Sequence, residues 1–335
     1  LQNLLVDETA DPIQFAGTLS ILNLNDKTVT FGKANTASQI TMNSTSAIKG
    51  SATSGLTILG TGSFGTLRFD QTTPGTTNVL QNLNIDRSTG SVILGDNLIV
   101  SGNLTVTSGT LTLAASKQLT VSGTLTNNGT FTLENGATFK QGSSVTGGGT
   151  YNVKQTLSDG AGSGSTLTGR YWYMGTPVSC TRAVGFGSAG NLNKVWSFTN
   201  GAYAAVADAT MLSPTTGYVH RRWDNPTLTF SGQNLYATDA TLSLSNNAGT
   251  YAGWHLIANP YTAYLDWHQV WDNSSNISPT YYIRSYNTSG AGDVNALITY
   301  NRSNGLEANT SSYSLGATYN NPTLGATIAQ YIAPM

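Results

Sequence analysis

Glycine returns at short, regular intervals through residues 95–154, and this feature constrains the fold more than any other. The interval between residues 109 and 123 is double and holds two units, so the repeat is about six or seven residues long. Apolar residues alternate between the turns, as in Leu98/Val100 and Leu104/Val106. Alternation places these side chains on one face of a strand. The segment therefore predicts short strands turned at regular intervals, with glycines at positions 95, 102, 109, 123, 129, 136, 142 and 149.

Two architectures fit such strands. In a parallel β-solenoid, about three strands form one coil of roughly 20 residues, and each strand pairs with the coils above and below it. In a meander of hairpins, turns such as "TNNG" at 126–129 and "ENGA" at 134–137 join antiparallel neighbours. Strands of about three to five residues are too short for a self-supporting antiparallel sheet, which favours the solenoid. The meander remains the alternative.

Weaker repeats extend the predicted solenoid over residues 1–155, as some seven coils about 35 Å long. The composition changes after Gln155, where "SDGAGSGSTLTG" resembles a linker, and all six tryptophans lie beyond it. Aromatic-rich segments such as "RYWYMGTPV" and "KVWSFT" then predict an antiparallel β-sandwich over residues 156–335. The predicted fold class is all-β, with an N-terminal parallel β-solenoid followed by an antiparallel β-sandwich domain.

Charge and cysteine content exclude several partner classes. The chain has 15 basic and 16 acidic residues, and this balance argues against nucleic-acid binding and against a polybasic membrane anchor. No apolar run is long enough to span a membrane, so we predict no membrane insertion. Cys180 is the single cysteine, which excludes an intrachain disulfide and a thiolate zinc cluster. We interpret Cys180 as a small buried residue, with a nucleophile as the alternative.

The candidate catalytic residues lie in "GWHLIANPYTAYLDW" at 253–267 and just after it. His255 is interpreted as a strand-surface histidine, with proton transfer as the alternative. Asp266 is expected to cap or turn the chain; Asp266 and His268 could share a strand face and bind a metal, but no third ligand lies nearby. A polysaccharide lyase or hydrolase would need paired carboxylates or an acidic calcium cluster, and residues 96–153 carry only Asp96, Lys117, Glu134 and Lys140. We therefore predict no catalytic residues, no metal, no cofactor and no enzymatic activity.

The best candidate ligand patch is "GYVHRRWDNP" at 217–226. Exposed aromatic rings can stack on sugar rings while charged groups hold the hydroxyls. The residues predicted to bind a ligand are Tyr218, Arg221, Arg222, Trp223 and Asp224. The alternative is that Trp223 belongs to the core and that the arginine pair is a solvated edge that resists strand addition.

Four segments, in this order, carry a resemblance to a known group of proteins: "SGTLTNNGTFTLENGATF", "GTYNVKQTL", "GRYWYMGTPVS" and "GWHLIANPYTAYLDW". They resemble the large extracellular proteins that Bacteroidota export through the type IX secretion pathway, in which a repetitive β region precedes a β-sandwich with a GWxLxxNP motif. The resemblance implies an extracellular or cell-surface location, a structural or adhesive role, and the type IX secretion machinery as a partner. It also implies a further strand and a sorting domain beyond Met335.

These observations predict a non-enzymatic extracellular protein with a structural or adhesive role, such as a filament or stalk component. Its expected partners are other copies of itself, through open coil ends, or surface glycans. The alternative is a carbohydrate-binding module, or the accessory region of a secreted polysaccharide-active enzyme.

Overall fold

The computed structural model describes residues 20–157, 171–190, 193–199, 201–222, 224–246, 249 and 252–282 in full, together with the backbone of 3–6, 13–15, 170, 283–286, 295–301, 305–307 and 331–332. The fold is all-β, and the residues that the structure describes include two short helices. The chain forms two compact units, Leu1–Thr262 and Ala263–Met335.

The described residues of the first part of the chain form seventeen strands. They are β1 (Asn3–Val6), β2 (Ile13–Phe15), β3 (Ile21–Asn23), β4 (Thr28–Phe31), β5 (Ile40–Met42), β6 (Ala47–Lys49), β7 (Gly55–Leu67), β8 (Val79–Leu80), β9 (Asn82–Leu94), β10 (Leu98–Val100), β11 (Leu104–Leu113), β12 (Gln118–Val121), β13 (Leu125–Asn127), β14 (Thr130–Leu133), β15 (Thr138–Gln141), β16 (Val145–Thr146) and β17 (Thr150–Thr156).

The rest of the first unit contains β18 (Arg170–Met174), helix α1 (Arg182–Gly185), β19 (Lys194–Thr199), β20 (Ala202–Ala205), β21 (Tyr218–Arg222) and β22 (Thr227–Gly232). The second unit contains β23 (Leu265–Asp266), helix α2 (Trp267–Asp272), β24 (Thr280–Tyr286), β25 (Asn295–Asn301), β26 (Gly305–Glu307) and β27 (Tyr331–Ile332). In the second unit β24, β25 and β26 form an antiparallel sheet, and β23 pairs with β27.

Strands β1–β17 pair with one another in parallel, and we call this region the parallel stack. One column of pairs runs through β1, β4, β7, β9, β11, β13 and β16. Partners lie 27 residues apart between Thr57 and Asn84, and 20 apart between Thr126 and Thr146. A meander of hairpins would pair its neighbours antiparallel. The pairs described within the parallel stack run in one direction.

The interior of the parallel stack is a set of apolar columns. Leu56, Leu83, Leu104 and Leu125 follow one another in register, and each is completely buried. Burying each leucine contributes roughly 1.5–3 kcal/mol relative to leaving it exposed. The alternating apolar residues of the sequence therefore supply the core of this region.

Glycines at the bends also lie in columns, because successive turns approach each other closely. A Cβ on Gly129 would lie 2.4 Å from the carbonyl oxygen of Gly109, and a Cβ on Gly149 would lie 2.4 Å from that of Gly129. No side chain fits at these separations. The regular glycine spacing in the sequence thus reflects contact between turns about 20 residues apart.

Polar side chains at other bends link one turn to the next. The side-chain oxygen of Asn82 accepts a hydrogen bond from the backbone N–H of Asn103 at 3.0 Å. Asn103 in turn accepts one from the N–H of Thr124 at 2.9 Å. The charged residues of this region also pair between turns, as in Lys154 with Glu134 at 2.7 Å. The asparagine-rich turns therefore satisfy backbone donors that a bend leaves without strand partners.

One arginine lies inside the parallel stack. Arg87 is completely buried, and its guanidinium donates to the carbonyl oxygens of Leu59 at 2.6 Å, Ser38 at 2.8 Å and Gly62 at 3.0 Å, and to that of Thr61. Its guanidinium carbon lies 5.0 Å from the centre of the Phe64 ring. Burial lowers the pKa of Arg87 from its usual value. Arg87 therefore satisfies carbonyl groups at a bend where the strand register shifts.

The edge of the last turns of the parallel stack is closed by residues from farther along the chain. Strand β22 pairs antiparallel with β17, from Tyr151 opposite Gly232 to Thr156 opposite Thr227. On β15, the N–H of Phe139 donates to the carbonyl of Thr262 and its carbonyl accepts from the Thr262 hydroxyl, both at 2.9 Å. These bonds occupy backbone groups that an edge strand would otherwise expose.

The "NPYT" segment at 259–262 forms this second closure. Asn259 is buried, and its side-chain oxygen accepts from the N–H of Tyr261 at 3.0 Å, which turns the chain. The hydroxyl of Tyr261 donates to the carbonyl of Thr238 at 3.2 Å. The motif thus acts as a turn, and the turn presents Thr262 to β15. The predicted domain boundary between residues 155 and 156 falls within β17.

Candidate functional site

An antiparallel sheet of four strands, in the order β18-β21-β19-β20, carries the candidate site. Strand geometry sends alternate side chains to opposite faces of this sheet. One face is packed: Tyr218, His220 and Val195 are buried there. The Phe186 ring lies 5.1 Å from the His220 ring and 5.2 Å from that of Phe230.

The opposite side, which we call the aromatic face, consists of Tyr171, Tyr173, Lys194, Trp196, Phe198, Tyr203, Val219 and Arg221. Strand register fixes this set, because residues directly opposite each other share a face. Tyr171, Arg221 and Lys194 form one row across β18, β21 and β19. Tyr173, Val219 and Trp196 form the next row.

Exposed rings distinguish the aromatic face from the packed face. Tyr171 is 45% exposed and Tyr203 is 59% exposed. The Tyr171 and Trp196 rings are 6.3 Å apart and tilted by 35°. The Phe198 and Tyr203 rings are 4.7 Å apart. The face therefore presents amphipathic rings to solvent, at a place where a sheet ordinarily presents polar side chains.

Two cations lie at one end of the aromatic face. Lys194 and Arg221 are directly opposite each other on neighbouring strands, and like charges in that position repel. The guanidinium carbon of Arg221 lies 5.3 Å from the centre of the Tyr171 ring, within cation–π range. The exposed part of the row thus combines an aromatic ring with two positive charges.

The predicted ligand residues are divided between the two faces. Arg221 belongs to the aromatic face, whereas Tyr218 and Arg222 belong to the opposite one. Tyr218 is buried, and its hydroxyl oxygen accepts from the N–H of Ser213 at 2.7 Å. Arg222 forms two hydrogen bonds to the carboxylate of Asp224, at 2.5 and 3.1 Å. Trp223 lies outside the described residues.

The sequence contains a pattern that indicates the aromatic face, but this pattern lies outside the ligand patch predicted at 217–226. "RYWYM" and "KVWSFT" each place aromatic residues at i and i+2, as Tyr171/Tyr173 and Trp196/Phe198. Alternation identifies the face of each strand. Only the antiparallel register, which joins residues 20 to 50 positions apart in the sequence, brings the two segments together with Arg221.

The buried polar groups behind this sheet hold a loop in place. Arg182 donates to Asp208 at 2.6 Å and to the carbonyl oxygens of Gly187 and Asn193. The Asn193 amide donates to the carbonyl oxygens of Phe186 and Ser188, both at 2.9 Å. These bonds satisfy the backbone carbonyl groups of Phe186, Gly187, Ser188 and Asn193.

His220 belongs to this network and is completely buried, with its Nε2 atom 2.8 Å from the side-chain oxygen of Asn193. Because the Asn193 amide nitrogen donates elsewhere, Nε2 carries the hydrogen and donates. Burial, followed by the positive charges of Arg222 and Arg182, lowers the pKa of His220 to about 3. The ring is therefore neutral near neutral pH.

The other residues singled out in the sequence also have assigned contacts. His255 bonds through its Nε2 atom to the carbonyl of Ser245 at 2.8 Å. Asp266 is the N-cap of α2 and accepts from the N–H of His268 at 2.9 Å, so its predicted capping role is confirmed. Cys180 is buried, as predicted, and burial raises the pKa of its thiol. The thiolate that a nucleophile requires is therefore disfavoured.

Neither a metal site nor a membrane span is found in the part of the chain that the structure describes. There, no three His, Cys, Asp or Glu side chains are grouped so that they could hold a metal ion. No helix among the described residues has the length and apolar character to cross a membrane.

The chain matches a family model described as a domain of unknown function (DUF8693) over residues 72–333. No curated protein and no solved structure matches the chain. The matched range begins before β8 and ends after β27, so it includes the later turns of the parallel stack, the aromatic face and the second unit. This range is well over half of the 335 residues, and the chain therefore belongs to the DUF8693 family.

Proposed function

We propose that the parallel stack is a β-solenoid and that the antiparallel strands after it form a β-sandwich domain. The support for the solenoid is the column of parallel pairs from β1 to β16, with offsets that settle at 20 or 21 residues. Seven strands spaced by about 4.8 Å give a column of roughly 29 Å. The support for the sandwich is the packing of Phe186 between β21 and β22.

We propose that the protein is a non-enzymatic structural or adhesive component of the cell surface. The observation that carries this proposal is the closure of the parallel stack by β22 and Thr262. A closed stack continuous with a second β-structure is suited to hold that structure away from a surface. Because β22 and Thr262 occupy these edges, self-association through β17 or β15 is disfavoured, and the adhesive role is preferred to filament growth at this end.

An extracellular or cell-surface location and export by the type IX secretion machinery are part of the same proposal. They follow from the resemblance of "GWHLIANPYTAYLDW" and the preceding repeats to exported Bacteroidota proteins. Many of the exposed positions on the strands and at the bends of the stack are threonine, serine or asparagine, which suits a surface in contact with water.

Attachment under flow tests the adhesive role. Beads coated with the purified chain are passed over surfaces carrying different polysaccharides, and retained beads and released reducing ends are both counted. The proposal expects retention on at least one surface without release of reducing ends. Release of sugar that is proportional to protein concentration would instead identify an enzyme, and no retention on any surface would contradict adhesion.

The second candidate function is carbohydrate binding, as a module in its own right or as an accessory region of a polysaccharide-active enzyme. The observation that favours it is the aromatic face, whose exposed Tyr171 and Tyr203 rings can stack on the apolar faces of sugars. A glycan array tests it with Tyr171→Ala and with Trp223→Ala, which probes the patch predicted from sequence. Binding that both variants retain in full would contradict a role for these residues.

A further inference from the structure

We propose that the aromatic face binds an acidic polysaccharide, with Tyr171 and Trp196 stacked on sugar rings and with Lys194 and Arg221 bound to the acid groups. The inference rests on the carbohydrate-binding candidate above and names its ligand class.

Two positive charges lie in one row at one end of the aromatic face. Lys194 and Arg221 are directly opposite each other on adjacent strands. A carboxylate or sulfate beside this row would be attracted by both charges, whereas a neutral hydroxyl would not.

The aromatic rings lie beside these charges. Tyr171 lies in the same row as both cations, and Trp196 lies in the next row, 6.3 Å from Tyr171 between ring centres. A ligand that covered this area would meet aromatic rings and positive charges together. Acidic sugars carry both complementary features on one unit, an apolar ring face and an anionic group.

The two cations differ in how they bind acid groups. Arginine presents a planar set of donors that matches a carboxylate, and the contact of Arg221 with Tyr171 limits the orientations of its guanidinium. Lysine supplies a mobile charge that accepts several geometries. The pair could therefore bind acid groups along a chain without requiring a single fixed spacing.

The test uses polysaccharides that differ only in charge. Polygalacturonate, alginate and carrageenan are immobilised beside their carboxyl-reduced or desulfated forms, and binding of the whole chain is measured by surface plasmon resonance. We expect at least one acidic form to bind at least tenfold more tightly than its neutral form. Raising sodium chloride from 50 to 500 mM should weaken that binding.

Variants locate the site. The double substitution Lys194→Gln and Arg221→Gln should lower the affinity at least tenfold, and Tyr171→Ala should lower it several-fold. Lys140→Gln removes an exposed lysine of the parallel stack and should leave binding unchanged. Circular dichroism and melting temperature check that each variant folds. If Tyr171→Ala does not fold, Tyr203→Ala, at a 59% exposed position, provides a second probe of the aromatic face.

The outcomes separate this inference from the function on which it rests. Equal binding of acidic and neutral forms would overturn the acidic ligand and leave carbohydrate binding intact. Binding to acidic forms that survives the double substitution would overturn the site. Binding to none of the glycans would overturn both, and tighter binding to a single-stranded oligonucleotide would reassign the face to nucleic acid.

Discussion

Replacing Gly149 by alanine should destabilise the parallel stack strongly, because the new methyl group would enter the backbone of the preceding turn. The added Cβ would lie 2.4 Å from the carbonyl oxygen of Gly129 and 2.8 Å from that of Asn127. Ordinary contacts begin at 3.4 Å, so one of the two backbones must move by about 1 Å.

The expected cost follows from three contributions. Overpacking of this kind costs up to about 3 kcal/mol. Displacing the Gly129 carbonyl weakens its hydrogen bond from the Thr150 N–H, now 2.8 Å long, at a further cost of about 1 kcal/mol. Alanine restricts the unfolded chain and returns roughly 0.4–1 kcal/mol. The net loss is about 3 kcal/mol, or a fall in melting temperature of roughly 6–12 °C for a unit of this size.

The neighbouring residue supplies a matched control. A Cβ on Gly148 would meet no atom within 4 Å, so Gly148→Ala should change the free energy of unfolding by less than about 0.5 kcal/mol. Urea unfolding of both variants, followed by circular dichroism, makes the comparison. Equal stability of Gly149→Ala and Gly148→Ala would refute the close approach of the turns.

Three further predictions concern buried groups and a helix cap. Arg87→Met should lower the free energy of unfolding by about 3 kcal/mol, because the carbonyl groups bonded to Arg87 lose their donors. Arg68→Met, at a partly exposed position, is the control and should cost less than about 1 kcal/mol. Urea unfolding measures both. His220 has a pKa of about 3 in the folded protein, below its pKa in the unfolded chain, so its contribution to stability is complete above about pH 6.5 and declines as the pH falls from there towards 3. The free energy of unfolding should therefore be about 2 kcal/mol lower at pH 5 than at pH 7.5. If His220→Gln showed the same pH dependence, the assignment would be contradicted. Asp266→Ala should lower the free energy of unfolding by about 1 kcal/mol through loss of the α2 cap, and Asp266→Asn should lower it much less. Hydrogen exchange at the His268 amide measures the loss of the cap. Equal exchange in both variants would argue against the cap.

The repeating part of the fold could be predicted well from the sequence. The glycine spacing and the alternation of residues such as Leu104 and Val106 indicate short strands with one buried face, and both residues are completely buried. The 27-residue offset between Thr57 and Asn84 could not be predicted, because the longer turns there disrupt the period.

The closure of the parallel stack could not be predicted from local patterns. Phe139 and Thr262 are 123 positions apart in the sequence, and no periodic signal connects them. The sequence does identify "NP" as a turn, since Pro260 lacks a donor and restricts Asn259. What that turn contacts depends on tertiary packing.

The candidate site shows a similar division. The pattern around residue 221 marks an unusual cluster of aromatic and charged residues, but strand alternation separates Arg221 from Arg222. Tyr171 and Lys194 join Arg221 only through antiparallel register. Asp266 and His268 could be read as strand neighbours, but the spacing of Trp267, Val270 and Trp271 is that of a helix, which α2 adopts.

A distance between spin labels tests the central claim, the parallel stacking of turns, most directly. Residues 57, 84, 105, 126 and 146 are successive register partners, so Thr57 and Thr146 are separated by four strand spacings, or about 19 Å. Labels at Thr57→Cys and Thr146→Cys, in a Cys180→Ala background, are measured by double electron–electron resonance. Parallel stacking predicts a distance distribution centred at about 20 Å, whereas a distribution centred on the order of 40 Å, as a meander of successive strands would give, would contradict it.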